Sequence, residues 1–525
     1  MSDGEAQVAR WYHEGTKHPF GALYNRTYRM DPGQRPLLYK VYTGLEARPL
    51  PLDPSPRGVP ALTAVATDPP GVPDTAAGDE GQLPDLATLS RLLYFSGGIT
   101  KQLRSSRGTI PFRAAACTGA LYHIELYLVA GDLPGLQAGV YHFDPRETAL
   151  RRLRAGDYRQ ILVEASGEEP AVRQAPAILV MTDVVWRNAY KYRERAYRHA
   201  FWDSGTILAN LLATATAHGL PANVVAGFVD RTVAQLLELD PARELALVLV
   251  PLGVSHRSVP PAPASAALHL ETLPVRAYDD LFPAIRTVHE ASSLPSPEAV
   301  AAWRGAGAAL PASGGPHEPG AGAAGAVPLQ PLAGAELPAV DVETVIVRRG
   351  STRRFARRAI SFQQLSTILE RCLRAAPADF ATHPGAALYE VYLIVNAVDG
   401  LEPGTYAWRR ENGALQRLQA GEHREAAGHL ALDQDLAADA AVNVYFLADL
   451  QPVLERLGER GYRAAQLDAA IAAGRMYLAA YGLGFGATGL TFYDDEVTAF
   501  FGPPATGKSV LFLMACGRPA RRRRR

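Results

Sequence analysis

Apolar positions set out the elements of the chain. Leu86, Leu89, Leu92 and Leu93 return at helical spacing and predict a helix over Leu86–Gly97. Four short apolar runs, Ile124–Ala130, Gly139–Phe143, Ala177–Met181 and Leu245–Val250, predict strands. Arg195–His218 predicts one long helix with small residues inside it. Residues 1–60 carry Trp11-Tyr12-His13-Glu14-Gly15-Thr16-Lys17-His18 and then extended, proline-punctuated text. Residues 66–84, rich in Pro, Gly and Asp, predict a loop.

The same order of elements returns later in the chain. Glu125-Leu126-Tyr127-Leu128 matches Glu390-Val391-Tyr392-Leu393, 265 positions on. Gly139-Val140-Tyr141 matches Gly404-Thr405-Tyr406, and Ala155-Gly156-Asp157 matches Ala420-Gly421-Glu422, in the same register. Arg195-Ala196-Tyr197-Arg198 matches Arg460-Gly461-Tyr462-Arg463, and Asp203 matches Asp468. The helix Leu89-Ser90-x-Leu92-Leu93 recurs as Leu365-Ser366-x-Ile368-Leu369 at a shift of 276, so an indel lies between helix and strand. A period this long marks a duplicated domain rather than a solenoid. Two related domains can pack about a pseudo-two-fold axis and reproduce a dimer interface within one chain. Such a fusion is free to lose one of two equivalent sites. Between the copies, Gly305–Leu337 is rich in Ala, Gly and Pro and reads as a linker; Tyr278–Trp303 reads as a helical arm of the first unit.

Composition narrows the classes. With 525 residues and 48% apolar content, a globular protein of two or three domains is expected. A formal net charge of zero implies no general attraction to nucleic acid or anionic lipid. Cys117, Cys372 and Cys516 are too far apart for a disulfide framework or clustered zinc site. The thirteen histidines include no HExxH or close ligand pair, so no metal is expected. Met1–Glu5 lacks a secretory pattern, and Leu245–Val254 is too short to span a bilayer, so a cytoplasmic protein without membrane attachment is expected. Gly502–Ser509 fits the phosphate-loop pattern Gly-x-x-x-x-Gly-Lys-Ser, but a working loop follows a strand and opens a helix. Here a helix-like stretch, Asp494–Phe501, precedes it and a strand-like one, Val510–Met514, follows, so a turn is expected instead.

One stretch is dense in anion-binding chemistry. Arg348-Arg349-Gly350-Ser351-Thr352-Arg353-Arg354-Phe355 sets four arginines around two hydroxyls, just before a helix starting near Ser361. Guanidinium forks and a hydroxyl can grip a phosphate; a solvated basic turn is the alternative. Arg349, Ser351, Arg353 and Phe355 match the N-terminal flavin-phosphate motif of the nitroreductase family. The whole chain resembles, in tandem form, that family's SagB-type branch, FMN-dependent dehydrogenases that oxidise azolines to azoles. Tyr12-His13-x-x-Thr16-Lys17-His18, Arg113–Tyr122 and Lys191-Tyr192-x-Glu194-Arg195-x-Tyr197-Arg198 carry the rest of the likeness, with Cys117-Thr118 and Arg193 departing from the usual residues.

The resemblance implies an α+β chain of two tandem nitroreductase-like domains, each a mostly antiparallel sheet flanked by helices, forming a pseudo-dimer. The domains are expected at 1–260 and 341–520, with an arm and linker at 261–340 and a basic tail at 521–525. The first copy's counterpart of the phosphate motif, Val72-Pro73-Asp74-Thr75-Ala76-Ala77, has no arginine, so one FMN per chain is implied. The second copy would hold it through Arg349, Ser351, Arg353, Gly486, Ala487, Thr488, Gly489 and Arg518. The first would lend Arg113, Thr118, Gly119 and the Lys191-Tyr192 pair across the interface. Lys191 would take the proton and Tyr192 relay it or bond the ring nitrogen. A lysine amine at its ordinary pKa of about 10.4 needs desolvation or nearby cations for that role. Arg187, Arg193, Arg195 and Arg198 are the candidate cations. The implied substrate is a peptide- or carrier-bound azoline, with a cyclodehydratase or synthetase as partner. Two other readings stay open: an NAD(P)H-dependent nitro- or quinone reductase, and a flavin-free scaffold of a modification complex.

Overall fold

The computed structural model describes residues 7–21, 28–53, 55–71, 81–105, 108–273, 282–308, 326–381 and 386–520. The stretch Val72–Ala77 and the tail Arg521–Arg525 lie outside them. The first half builds a six-stranded antiparallel sheet in the order Ala47–Pro49, Ala149–Ala155, Gly139–Asp144, Ile124–Ala130, Ala177–Val184, Glu244–Leu252, beside a hairpin of Ile99–Ser105 and Gly108–Arg113. The second half repeats it with Ala414–Ala420, Gly404–Arg409, Glu390–Val395, Val442–Ala448 and Ser509–Gly517 as neighbours in turn. Ala326–Pro328 and Gly486–Leu490 add edges. Even the irregularities repeat. Bulges fall between Val140 and Tyr141 and between Met181 and Thr182, and again at Thr405/Tyr406 and Phe446/Leu447, each 265 positions on. A bulge re-aims a strand, so its repetition fixes the same sheet shape twice.

Each half contributes one long buried helix, Ala196–Ala217 and Arg460–Gly482, and the two pack against each other. Small residues let their backbones touch. A Cβ on Gly205 would stand 2.4 Å from that of Ala470, and one on Gly474 would stand 2.5 Å from that of Ala209. Ala470 is the repeat counterpart of Gly205, and Gly474 that of Ala209. Residues meeting their own counterparts is the signature of a two-fold contact. A core of buried apolar side chains runs through both halves and across this seam.

Two matched ion clusters tie the halves together. Arg195 and Arg198 of the first copy reach Asp494 of the second at 2.9 and 2.7 Å. Arg460 and Arg463 of the second copy reach Asp230 of the first at 2.6 Å each. Helix Gln7–Gly15 joins one cluster: Thr16 accepts from Arg198 Nε at 3.0 Å, and His13 meets the Tyr462 hydroxyl at 3.2 Å. Helix Pro283–Ala291 joins the other in the same way: Ser292 accepts from Arg463 Nε at 2.7 Å, and His289 meets the Tyr197 hydroxyl at 3.3 Å. His289 and Ser292 follow His13 and Thr16 by 276, the shift already seen between Leu89 and Leu365. The helix within the supposed arm of the first unit is therefore the counterpart of Gln7–Gly15 and leads into the second copy. Each such helix bridges the two long helices: His13 meets Tyr462 and Arg198, and His289 meets Tyr197 and Arg463.

Several local expectations hold. Leu86–Gly97 is a helix capped by Asp85, whose carboxylate accepts from Thr88 N. Ser361 and Gln364 form a capping box for helix Phe362–Cys372. Helix Asp494–Phe501 precedes, and strand Ser509–Gly517 follows, the Gly502–Lys508 turn, whose Gly502 and Gly507 take positive φ. Among the described residues no helix is long and apolar enough to cross a membrane.

Candidate functional site

The two halves enclose a cavity of about 370 Å³ beside the paired helices. The first copy supplies the loop Ala116–Gly119, the Lys191-Tyr192 pair, and His199, Trp202, Asp203 and Thr206 from its long helix. The second supplies Ser351, Arg353, Gln434, Tyr477, Phe512 and the strand segment Thr488–Thr491.

Lys191 and Tyr192 end the helix Val185–Tyr192. Arg193 then takes φ +52 and ψ −139, which turns the chain sharply into the long helix. Its counterpart Gly458 adopts nearly the same angles, +57 and −163, in a residue free to do so. The Arg193 guanidinium stacks on Tyr28 and Phe282. Lys191 Nζ lies 5.0 Å from the centre of the Tyr192 ring, and that ring stands edge-on to His199 at 4.7 Å. The Tyr192 hydroxyl closes on Gly119, where a Cβ would stand 2.8 Å from it. Gly119 also has φ +67, so both space and backbone demand glycine there.

On the opposite wall, the 350–353 segment lies against the edge strand. Thr352 N donates to Ala487 O at 3.0 Å. A Cβ on Gly486 would fall 2.0 Å from Thr352 Oγ1, so glycine there permits the approach. Gly489 N donates to the Tyr477 hydroxyl at 2.6 Å, which also lies 3.4 Å from Ser351 Oγ. Arg353 reaches the cavity from an exposed position.

Of the residues singled out from sequence, Lys191, Tyr192, Thr118, Gly119, Ser351, Arg353, Thr488 and Gly489 come together on this cavity. Arg349, Arg113, Arg518, Gly486 and Ala487 are not among its lining residues. Arg349 crosses to the first copy, where its Nε donates to Ala114 O at 3.0 Å and its guanidinium stacks on Tyr477. Arg113 donates to the carbonyls of Ile124 and Leu38, and Arg518 to that of Ala359. These arginines clamp backbone around the cavity rather than entering it. The cations expected to act on Lys191 are engaged too: Arg187 pairs with Glu125 at 2.6 Å, and Arg195 and Arg198 with Asp494. Burial would raise the Asp494 carboxyl, but those two arginines hold it well below the usual carboxylate range.

Sequence reasoning missed most of what the first long helix contributes. Asp203 stood in the repeat only as a register mark. In the fold its carboxylate accepts from Thr118 N at 2.9 Å, Thr118 Oγ1 at 2.8 Å, Cys117 Sγ at 3.0 Å and His123 Nε2 at 2.7 Å. His123 Nδ1 meets Asp183 at 2.6 Å. Cys117, His123 and Asp203 are also, among the described residues, the group whose donor atoms cluster closely enough to hold a metal ion.

The sister position across the pseudo-axis is filled. Val225 pairs with Leu249 as Gly489 pairs with Met514, which places Val224–Gly227 where the second copy has Thr488–Thr491. There Asp379 accepts from Ala226 N and Gly227 N at 2.8 Å each, and Trp303 packs so close that a Cβ on Gly227 would stand 2.9 Å from its ring. Trp303 Nε1 donates to the carbonyl of Leu457, the counterpart of Tyr192. The helix Pro297–Ala308 thus plugs the second copy's equivalent of the cavity with its own indole.

Comparison with known proteins places this arrangement. Over nearly its whole length the chain superposes on a nitroreductase-type protein of Anabaena variabilis, with a TM-score of 0.74 and 25% identity, covering 98% of this chain and 99% of that one. It is 27% identical over 168 residues to a nitroreductase-type protein of Methanocaldococcus jannaschii, 32% of this chain and 80% of that relative. It is 34% identical over 140 residues to the trifolitoxin-processing protein TfxB of Rhizobium leguminosarum, and 32% over 127 residues to the microcin B17-processing protein McbC of Escherichia coli. Those alignments take in 26% and 23% of this chain but only 38% and 47% of the two relatives. The nitroreductase family model matches twice, at residues 113–254 and 346–518, once in each half. The chain belongs to the nitroreductase family, in two tandem copies.

Proposed function

We propose that this protein is an FMN-dependent dehydrogenase that oxidises azoline rings to azoles in a peptide or peptide-like natural product, using one flavin per chain. The observation that carries the reading is the cavity with one wall from each copy: Lys191-Tyr192 and Thr118-Gly119 on one side, Ser351, Arg353 and Thr488-Gly489 on the other. Members of the family typically bind FMN. The cavity fits such a group. Its volume lies in the range of small-molecule sites. Arg353 and Ser351 offer a cation and a hydroxyl for a phosphate. Tyr477, Trp202 and Phe512 offer aromatic walls. Two relatives process the peptides trifolitoxin and microcin B17, which supports a peptide substrate supplied by a cyclodehydratase or synthetase partner. The plugged sister position supports a stoichiometry of one.

When bound, FMN supplies the two-electron acceptor. The chain's part is to orient the azoline, exclude water and remove a proton from ring carbon. Lys191 Nζ takes that proton, and the Tyr192 hydroxyl, over Gly119, steadies the ring nitrogen or passes the proton on. Trp202 and Phe512, edge to face at 5.5 Å, shield the wall from solvent.

Purified protein should be yellow with close to one FMN per chain. Lys191→Ala should keep its flavin and lose turnover of a thiazoline- or oxazoline-bearing peptide by at least about 100-fold. Unchanged turnover would refute the role of Lys191. The full-length match to a nitroreductase-type protein favours one rival, an NAD(P)H-consuming reductase. Rapid nicotinamide oxidation without any peptide present would select it.

A further inference from the structure

The two copies differ most tellingly behind the cavity loop. In the plugged copy, among the described residues, Asp468 accepts from the backbone donors Ala376 N and Leu388 N, at 2.9 Å each. In the open copy, Asp203 receives an imidazole instead, and that imidazole is backed by a second carboxylate. The counterparts of His123 and Asp183 are Leu388 and Ala448. The aspartate facing the loop is common to both copies; the charged pair behind it belongs only to the copy that faces the cavity.

Geometry decides what the pair can do. Both oxygens of Asp203 are already taken by Thr118, Cys117 and His123, so it has little left to offer a ligand. Asp183 is 1% exposed, so the chain Asp203–His123–Asp183 ends inside the protein and is no conduit to solvent. What remains is a holding function. We propose that His123 and Asp183 are positioning residues of the cavity: through Asp203 they fix the Cys117–Gly119 loop in its ligand-facing form. This rests on reading the cavity as the flavin site.

The charges around His123 agree. Burial alone would strip its proton, but Asp183 and Asp203 outweigh burial and raise its pKa to about 9. His199 lies near on the long helix, and burial first and neighbouring cations second push its pKa down, so it does not compete for charge. Arg187 acts on Asp183 from the helix Val185–Tyr192, and the Cys117 thiol, pushed up by burial and by Asp203, stays protonated as a donor.

The test uses the full chain and two readouts. Histidine-selective 15N NMR of wild type should show one imidazolium persisting to about pH 9 and absent in His123→Leu. His123→Leu/Asp183→Ala, which copies the plugged half, should bind FMN tenfold more weakly at pH 7.5. A variant with wild-type affinity, a His123 signal neutral at pH 7, or stoichiometric zinc lost on His123→Leu would overturn the inference. Should the protein take up no FMN at any pH, the flavin reading fails while the NMR titration still judges His123.

Discussion

Substituting Gly205 by alanine tests the packing on which the cavity depends. Two effects oppose each other. In a helix interior alanine is favoured over glycine by about 1 kcal/mol. Against that, the new methyl would stand 2.4 Å from Ala470 Cβ, 2.7 Å from Ala470 C and 2.8 Å from Ile471 N. Carbon atoms rest at roughly 3.5–4.0 Å, so the helices must part by about 1 Å. Two of the three obstructing atoms are backbone and cannot rotate away. Overpacking of this kind costs roughly 1–3 kcal/mol and often more where nothing yields. The clash should win, with a net loss of about 2 kcal/mol read from the urea midpoint. Asp203 and Thr206 flank Gly205 on the cavity wall, so FMN affinity should fall as well. Gly305→Ala is the control: it too sits in a helix, with nothing within 4 Å of the added methyl, and should gain up to about 1 kcal/mol. If Gly205→Ala proved as stable as wild type, or Gly305→Ala as damaging, the close helix contact would not be what holds the halves in register.

Two further outcomes follow from buried charge and backbone. Burial would raise the Asp230 carboxyl, but Arg460 and Arg463 override it and lower its pKa from 3.8 to about 2. A depressed carboxylate stabilises above its unfolded value, so about 2 kcal/mol of stability should be lost as pH falls from about 4 through 2. Asp230→Asn should remove that acid limb and, by leaving two buried guanidinium groups short of a partner, cost about 3–5 kcal/mol at pH 7 by urea unfolding. Arg193 occupies a glycine-like conformation whose strain is of order 1–3 kcal/mol, partly offset by stacking on Tyr28 and Phe282. Arg193→Ala keeps the strain and loses the stacking, so Arg193→Gly should be the more stable of the two by about 1 kcal/mol; the reverse order in calorimetry would refute the strain argument.

The duplication was legible because strands and the long helix keep their spacing, so Glu125, Gly139 and Asp203 announce Glu390, Gly404 and Asp468. The start of the second copy was not. Only His289 and Ser292 echo His13 and Thr16, so Tyr278–Trp303 reads as a helical arm of the first unit, and the helix bearing Trp303 runs on to Ala308, four residues into the text that reads as a linker. Pattern finds which residues share a face, but not which charge meets which. Arg195 and Arg198 looked like cations free to act on Lys191, because their partner Asp494 lies some 300 positions away. Arg349 drew attention as a phosphate ligand, yet in the fold it bonds backbone of the other copy. His123 hid for a similar reason: a polar residue at the head of a strand carries no periodic signal, and its meaning depends on Asp183 and Asp203 arriving from elsewhere.

The two bridging helices have a consequence for how the molecule is put together. Because Gln7–Gly15 and Pro283–Ala291 each touch the long helices of both copies, neither half owns all the surface it needs. The two halves made as separate polypeptides should therefore be poor folders alone and should find each other when mixed, recreating as a heterodimer what gene fusion joined. Covalent linkage sets which half faces which and guarantees equal dose, while the clasp itself is non-covalent.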